Sequence, residues 1–291
     1  MKQLMMLLAF SGLAQLSVAQ TDSTQQQSDT ITVGNFAIVK KNKPEKTDNE
    51  NNKNEKVKIN IGFKNSNREK KLSNVSTNWF IFDLGFANLI DNTNYTAAQS
   101  MGYLKTGRPA DGPVTQNSMA LNSGKSSNAN LWFFMQKINV TKHVLNLKYG
   151  LGLEMYNFRY DRSLSYRNTP MPYVFNDSIG FSKNKLYVGY LTVPFMININ
   201  PYPTKKHAFS MSFGVSAGYL VGSHNKQISA ERGKQKYYGD MMLQPWRFAA
   251  IGEIGLGPVR LYGSYSLNDL HKEATGLKQT PYAVGIRFSN W

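Results

Sequence analysis

Seven charged residues stand out because each sits between apolar neighbours: Asp83, Lys148, Glu154, Arg247, Glu253, Arg260 and Arg287. Charges withdrawn from water must be paired to be tolerated, so mixed signs at such positions imply an acid–base network. The same groups, strung along a narrow passage, would instead line a gated ion path. The histidines, His143, His207, His224 and His271, offer a second chemistry. Ser223, Asp269 and Glu273 lie close in sequence to His224 and His271, and a histidine with a hydroxyl nucleophile and an orienting acid is what a lipid hydrolase or acyltransferase needs. No spacing fixes their geometry, and a solvated loop histidine is the default. The chain therefore reads as non-enzymatic, with no catalytic residue assigned. Asn122-Ser123-Gly124-Lys125-Ser126 resembles half a phosphate loop, but Met119 stands where the opening glycine belongs. Gly252-Glu253-Ile254-Gly255-Leu256-Gly257 is glycine within a strand, not a dinucleotide fingerprint. No His/Asp/Glu cluster has metal-ligand spacing. The chain has no cysteine, which removes disulfides and thiolate metal sites. No cofactor is expected.

The elements that must position these charges show a period of two. In residues 143–156, Leu145, Leu147, Tyr149, Leu151, Leu153 and Met155 share one face, and Asn146, Lys148, Gly150, Gly152 and Glu154 share the other. Alternate side chains of a strand point to opposite faces, and the length suits a tilted transmembrane strand of about 9–11 residues or more. Eight such segments are expected, near 78–90, 129–140, 143–157, 185–199, 207–221, 245–257, 258–268 and 280–290. Their connections alternate. Long polar loops fall near 91–128, 158–184 and 222–244, and a medium one near 269–279. Short turns fall at Thr141-Lys142, Asn200-Pro201-Tyr202-Pro203 and Gly257-Pro258. This long–short rhythm predicts an all-β, eight-stranded antiparallel up-and-down transmembrane barrel with short periplasmic turns and long extracellular loops.

Bulky residues occupy one face, such as Phe80, Phe82, Leu84 and Phe86, or Phe209, Met211, Phe213 and Val215. Gly, Ser, Ala and the seven charges occupy the other. An eight-stranded barrel has an interior just wide enough for side chains, so the small and charged face belongs inside and the aromatics outside, against lipid. A soluble ligand-binding barrel would reverse this. The lumen is expected to be plugged by the charge network. Trp79, Trp132, Tyr187, Trp246, Tyr282 and Trp291 lie near strand ends and suit interfacial aromatic girdles, with ordinary packing the alternative for those on the inward parity.

Residues 1–19 read as a signal peptide: Lys2, then an apolar stretch from Leu4 to Val18, then Ser17-Val18-Ala19 before the cleavage point. Residues 20–77 read as a low-complexity, mostly disordered periplasmic segment. Within it, the short β-prone pieces 31–39 and 57–63 flank a Lys/Asn-rich run, with a hairpin between them expected. Residues 78–291 form the barrel domain. The net charge of +16 on an exported chain points to anionic envelope partners, outer-membrane lipid and lipopolysaccharide, rather than nucleic acid. Much of the excess is expected in residues 40–71.

The stretch Asn74-Val75-Ser76-Thr77-Asn78-Trp79-Phe80-Ile81-Phe82-Asp83-Leu84-Gly85-Phe86, with 147–154 (LKYGLGLE) and 190–194 (YLTVP), resembles the Bacteroidota-type outer-membrane β-barrels called PorT-like. Residues 29–35 (DTITVGN) resemble the periplasmic leader of that group. The resemblance covers most of the chain and implies an eight-stranded barrel in the bacterial outer membrane. One branch of that family serves type IX secretion, which implies a periplasmic or secretion-machine protein partner. The chain departs from the group at its end. The aromatic in phase with the last apolar face is Phe288, whereas Trp291 is out of phase.

Overall fold

The computed structural model describes residues 30–33, 36–39, 60–63, 72–205 and 208–289. The expected signal peptide, most of the Lys/Asn-rich run, His207 and Trp291 lie outside the described residues. Two units are distinguished, Met1–Arg68 and Glu69–Trp291. In the first, Phe36–Val39 pairs antiparallel with both Thr30–Val33 and Asn60–Phe63. The two β-prone pieces thus pair as expected, and the first also folds back on itself.

The second unit is a closed antiparallel barrel of eight strands. They are β1 (Val75–Asp91), β2 (Ser127–Thr141), β3 (Leu145–Arg159), β4 (Lys183–Ile199), β5 (Phe209–Ser229), β6 (Trp246–Leu256), β7 (Val259–Ser266) and β8 (Gln279–Phe288). Each pairs with its sequence neighbours, and β8 closes the ring on β1 with Arg287 directly opposite Asp83. The barrel begins at Val75 rather than 78. Short turns gather at one end and long loops at the other, as the sequence predicts.

A short turn joins β2 to β3. Lys142 and His143 both have positive φ, 48° and 56°, and the Val144 amide donates to the Thr141 carbonyl at 3.0 Å. Left-handed backbone at both central positions is what a type I′ turn requires, because its twist matches that of the flanking strands.

Alternation sorts the side chains. Leu84, Phe86, Val193, Phe195, Phe213, Val215, Phe248, Leu261 and Val284 all stand exposed on the outer face. Local irregularities shift the phase. Trp79 on β1 faces Phe134 and Ile81 faces Trp132 without a shift of register, because both strands break their alternation together: β1 at Phe80, with φ 54°, and β2 at Phe133, the extra residue opposite β3. Trp79 therefore points outward, 64% exposed, although its parity by sequence is inward. On β5, Gly222 faces Gly189 and Leu220 faces Tyr190, so Val221 is the extra residue. Beyond it the outward positions change from odd to even. The strand runs on to Ser229 and folds back as a hairpin with Gly233–Tyr238, inside what the sequence suggested was a loop.

Candidate functional site: a charged lumen under an apolar plug

The seven charges expected inside are brought together in the lumen, each no more than 5% exposed. Arg287 forks onto Asp83, with Nε and Nη2 each 2.7 Å from a carboxylate oxygen. Its third nitrogen, Nη1, reaches Glu253 at 2.6 Å. Glu253 is the hub. Lys148 pairs with it across the lumen, Arg260 approaches at 3.4 Å, and the Ser212 hydroxyl donates to it at 2.9 Å. Arg247 and Glu154 form a second pair at 2.8 Å. Arg247 also donates to the Ser266 and Ser264 hydroxyls, and the Thr192 hydroxyl donates to Glu154. A guanidinium has five donors in a fixed fork, so bidentate pairing plus serines satisfies it as a lone ammonium could not. Three acids face four bases here, which leaves a nominal excess of one positive charge.

Neutral groups complete the network. The Trp132 indole donates to Asp83 at 2.8 Å and the Asn130 amide at 3.1 Å. Trp132 is thus a lumen residue, 2% exposed, and not a girdle residue. Its ring lies over Gly152, where a Cβ would stand 2.6 Å from its Cε3 atom. That close approach explains a glycine at a strand interior. Of the other expected girdle residues, Trp246 is exposed beside Tyr219 at the loop end, with ring centroids 5.0 Å apart.

Above the charges the lumen turns apolar. Tyr156 and Phe158 from β3 and Leu186, Val188 and Tyr190 from β4 point inward. The long loops fold down onto them with Tyr103, Leu104, Leu164, Tyr166, Val174, Met241 and Leu243. Polar bonds fix this plug. The Tyr103 hydroxyl donates to the Met241 carbonyl at 2.8 Å, and Gln227 donates to the Leu164 carbonyl at 3.0 Å. Asp177 takes Ser165 at 2.7 Å and Arg232 at 2.9 Å. These residues were missed in the sequence because isolated apolar side chains in polar loops have no period.

The three described histidines do not assemble a triad. His143 sits in the type I′ turn. His224 lies on the outer face, stacked on Tyr187 at 4.8 Å and beside Tyr238 at 5.3 Å. His271 is buried in the plug between the Tyr103 and Tyr166 rings, with centroids 6.1 and 6.5 Å away. Neither of its ring nitrogens has a hydrogen-bond partner, so no hydroxyl is activated there. Burial drives its pKa down to about 4, with the Asp91 charge opposing weakly. Among the described residues, no group of three or more His, Cys, Asp or Glu could hold a metal ion. The chain matches no protein-family model and no curated protein.

Proposed function

We propose that this chain is a non-enzymatic outer-membrane β-barrel whose lumen is closed, by the charge network below and the apolar plug above, and whose long loops serve surface interactions. The observation that carries this reading is the outer face. Large apolar side chains stand exposed around the barrel, from Phe86 on β1 through Phe195, Phe213, Phe248 and Leu261 to Val284 on β8. Soluble monomers rarely expose contiguous apolar patches beyond about 300–600 Å², whereas a lipid-facing barrel needs a continuous apolar band. No helix among the described residues is long and apolar enough to cross a membrane. The likeness to PorT-like barrels supports the same reading.

The test is fractionation of cells producing the full chain, with gel migration before and after boiling and protease treatment of intact cells. Recovery in outer membranes, a band that shifts on boiling, and cleavage confined to the loop end are expected. A soluble protein with no shift would overturn the proposal.

A second reading, a subunit of a secretion or envelope machine, is favoured by the separate N-terminal unit with its own small sheet. Deleting residues 40–71 would then abolish co-purification of a protein partner while leaving the heat-shifted band unchanged.

A further inference from the structure

Six cations form a grid on the outer face at the loop end. Cross-strand register sets Arg159 opposite Lys185, Lys185 opposite Lys226, and Lys226 opposite Lys236. One row further from the barrel, Lys183 and Lys234 flank Ile228 on either side. Adjacent strands lie about 4.8 Å apart and same-face residues about 6.7 Å apart along a strand, so six positive charges occupy a patch about 15 Å wide. None makes an ion pair with a carboxylate among the described residues. Like charges directly opposite one another are destabilising.

Two ordinary explanations fall short. Lysines guard open sheet edges against aggregation, which accounts for Lys234 and Lys236 on the hairpin's free strand. Lys185 and Lys226 are on strands paired on both sides and need no such guard. Nor does the overall basic balance explain the cluster. Residues 72–291 hold 22 Lys/Arg and 11 Asp/Glu, enough acids to intersperse.

The order along the strands indicates the ligand. Immediately below the cation row lies an aromatic row, Tyr187, His224 and Tyr238, with the His224 ring in contact with both tyrosines. Below that comes the apolar face, with Leu191, Val193 and Phe195 on β4 and Tyr219, Val215 and Phe213 on β5. Cation, aromatic ring and apolar surface in that sequence match phosphate, sugar and acyl chain of an amphiphile. From this order we infer that the grid binds the phosphorylated headgroup of an outer-leaflet glycolipid, its acyl chains lying along β4 and β5. The inference rests on the outer-membrane reading above.

The test uses the full chain folded in uncharged detergent, with native mass spectrometry of added bis-phosphorylated lipid A. Lipid A without its phosphates, inorganic pyrophosphate and a soluble sulfated polysaccharide serve as comparators. The triple variant Lys185→Gln/Lys226→Gln/Lys236→Gln is compared with a charge-matched control, Lys125→Gln/Lys142→Gln/Lys205→Gln, whose lysines are exposed elsewhere. Migration before and after boiling checks each sample, so a barrel that never forms is distinguished from a barrel without a lipid site. Retention of the bis-phosphorylated lipid alone, weakened tenfold or more in the triple variant and unchanged in the control, is expected. Equal retention of the phosphate-free lipid, equal loss in the control, or tighter binding of the free anion or the polysaccharide would overturn the inference.

Discussion

At the scale of single residues, the lumen is governed by pairing and not by charge count. Glu253 answers three cations, Lys148, Arg260 and Arg287. Removing one partner of a buried pair typically costs about 3–5 kcal/mol, because the survivor stays buried and unpaired. Glu253→Gln leaves four bases against two acids and is expected to lose about that much. Lys148→Met leaves three against three, and should lose less than half of it. Urea unfolding from lipid vesicles measures both, and equal losses would contradict the account.

His271 sets a pH dependence. Its folded pKa, about 4, lies below the ordinary 6.5, so the closed plug holds it neutral. As pH falls through 6.5 the opened state takes up a proton that the closed state refuses. Plug stability therefore declines from about pH 6.5 to about pH 4 and then levels, by about 3 kcal/mol in all. Near-ultraviolet circular dichroism melts at pH 7.5 and 4.5 should show this decline in the native chain and a smaller one in His271→Phe. The inward parity of these charges was legible in the sequence. Who meets whom was not. Asp83 and Arg287 face each other only through closure of the ring, and Lys148 reaches Glu253 from a strand that is not its neighbour.

At the scale of elements, most strand limits follow the alternation to within three residues, since a membrane-length strand with one bulky face has an unmistakable period. The failures have local causes. The outer phase of β5 flips at Val221, so the odd-numbered pattern ends eight residues before the strand does. The break in alternation at Phe80 turns Trp79 outward against its parity. The β2–β3 turn has Lys142 and His143 where Asn-Gly is the usual type I′ pair. Non-glycine residues with positive φ carry strain. Lys142→Asn with His143→Gly should raise the urea midpoint by about 0.5–1 kcal/mol equivalent at unchanged slope. A lowered midpoint would show that the native side chains contribute more than the turn geometry costs.

At the scale of the whole molecule, three layers coincide: an apolar belt outside, paired charges inside, and loops folded into the mouth. Each layer makes sense if lipid surrounds the barrel, for then water is absent outside and unwanted within. The belt was readable from the face on which the bulky residues fall. The plug was not, because loop residues acquire inward neighbours only once the ring has closed. The absence of native cysteine lets the lipid contact of the belt be measured directly. Single cysteines at Val215, Leu261, Val284 and Glu231 would carry an environment-sensitive fluorophore, in vesicles with and without brominated acyl chains. A lipid-facing belt requires strong quenching at Val215, Leu261 and Val284, and none at Glu231 in the loop-end hairpin. Unquenched fluorescence at all four sites, from a folded protein, would contradict it.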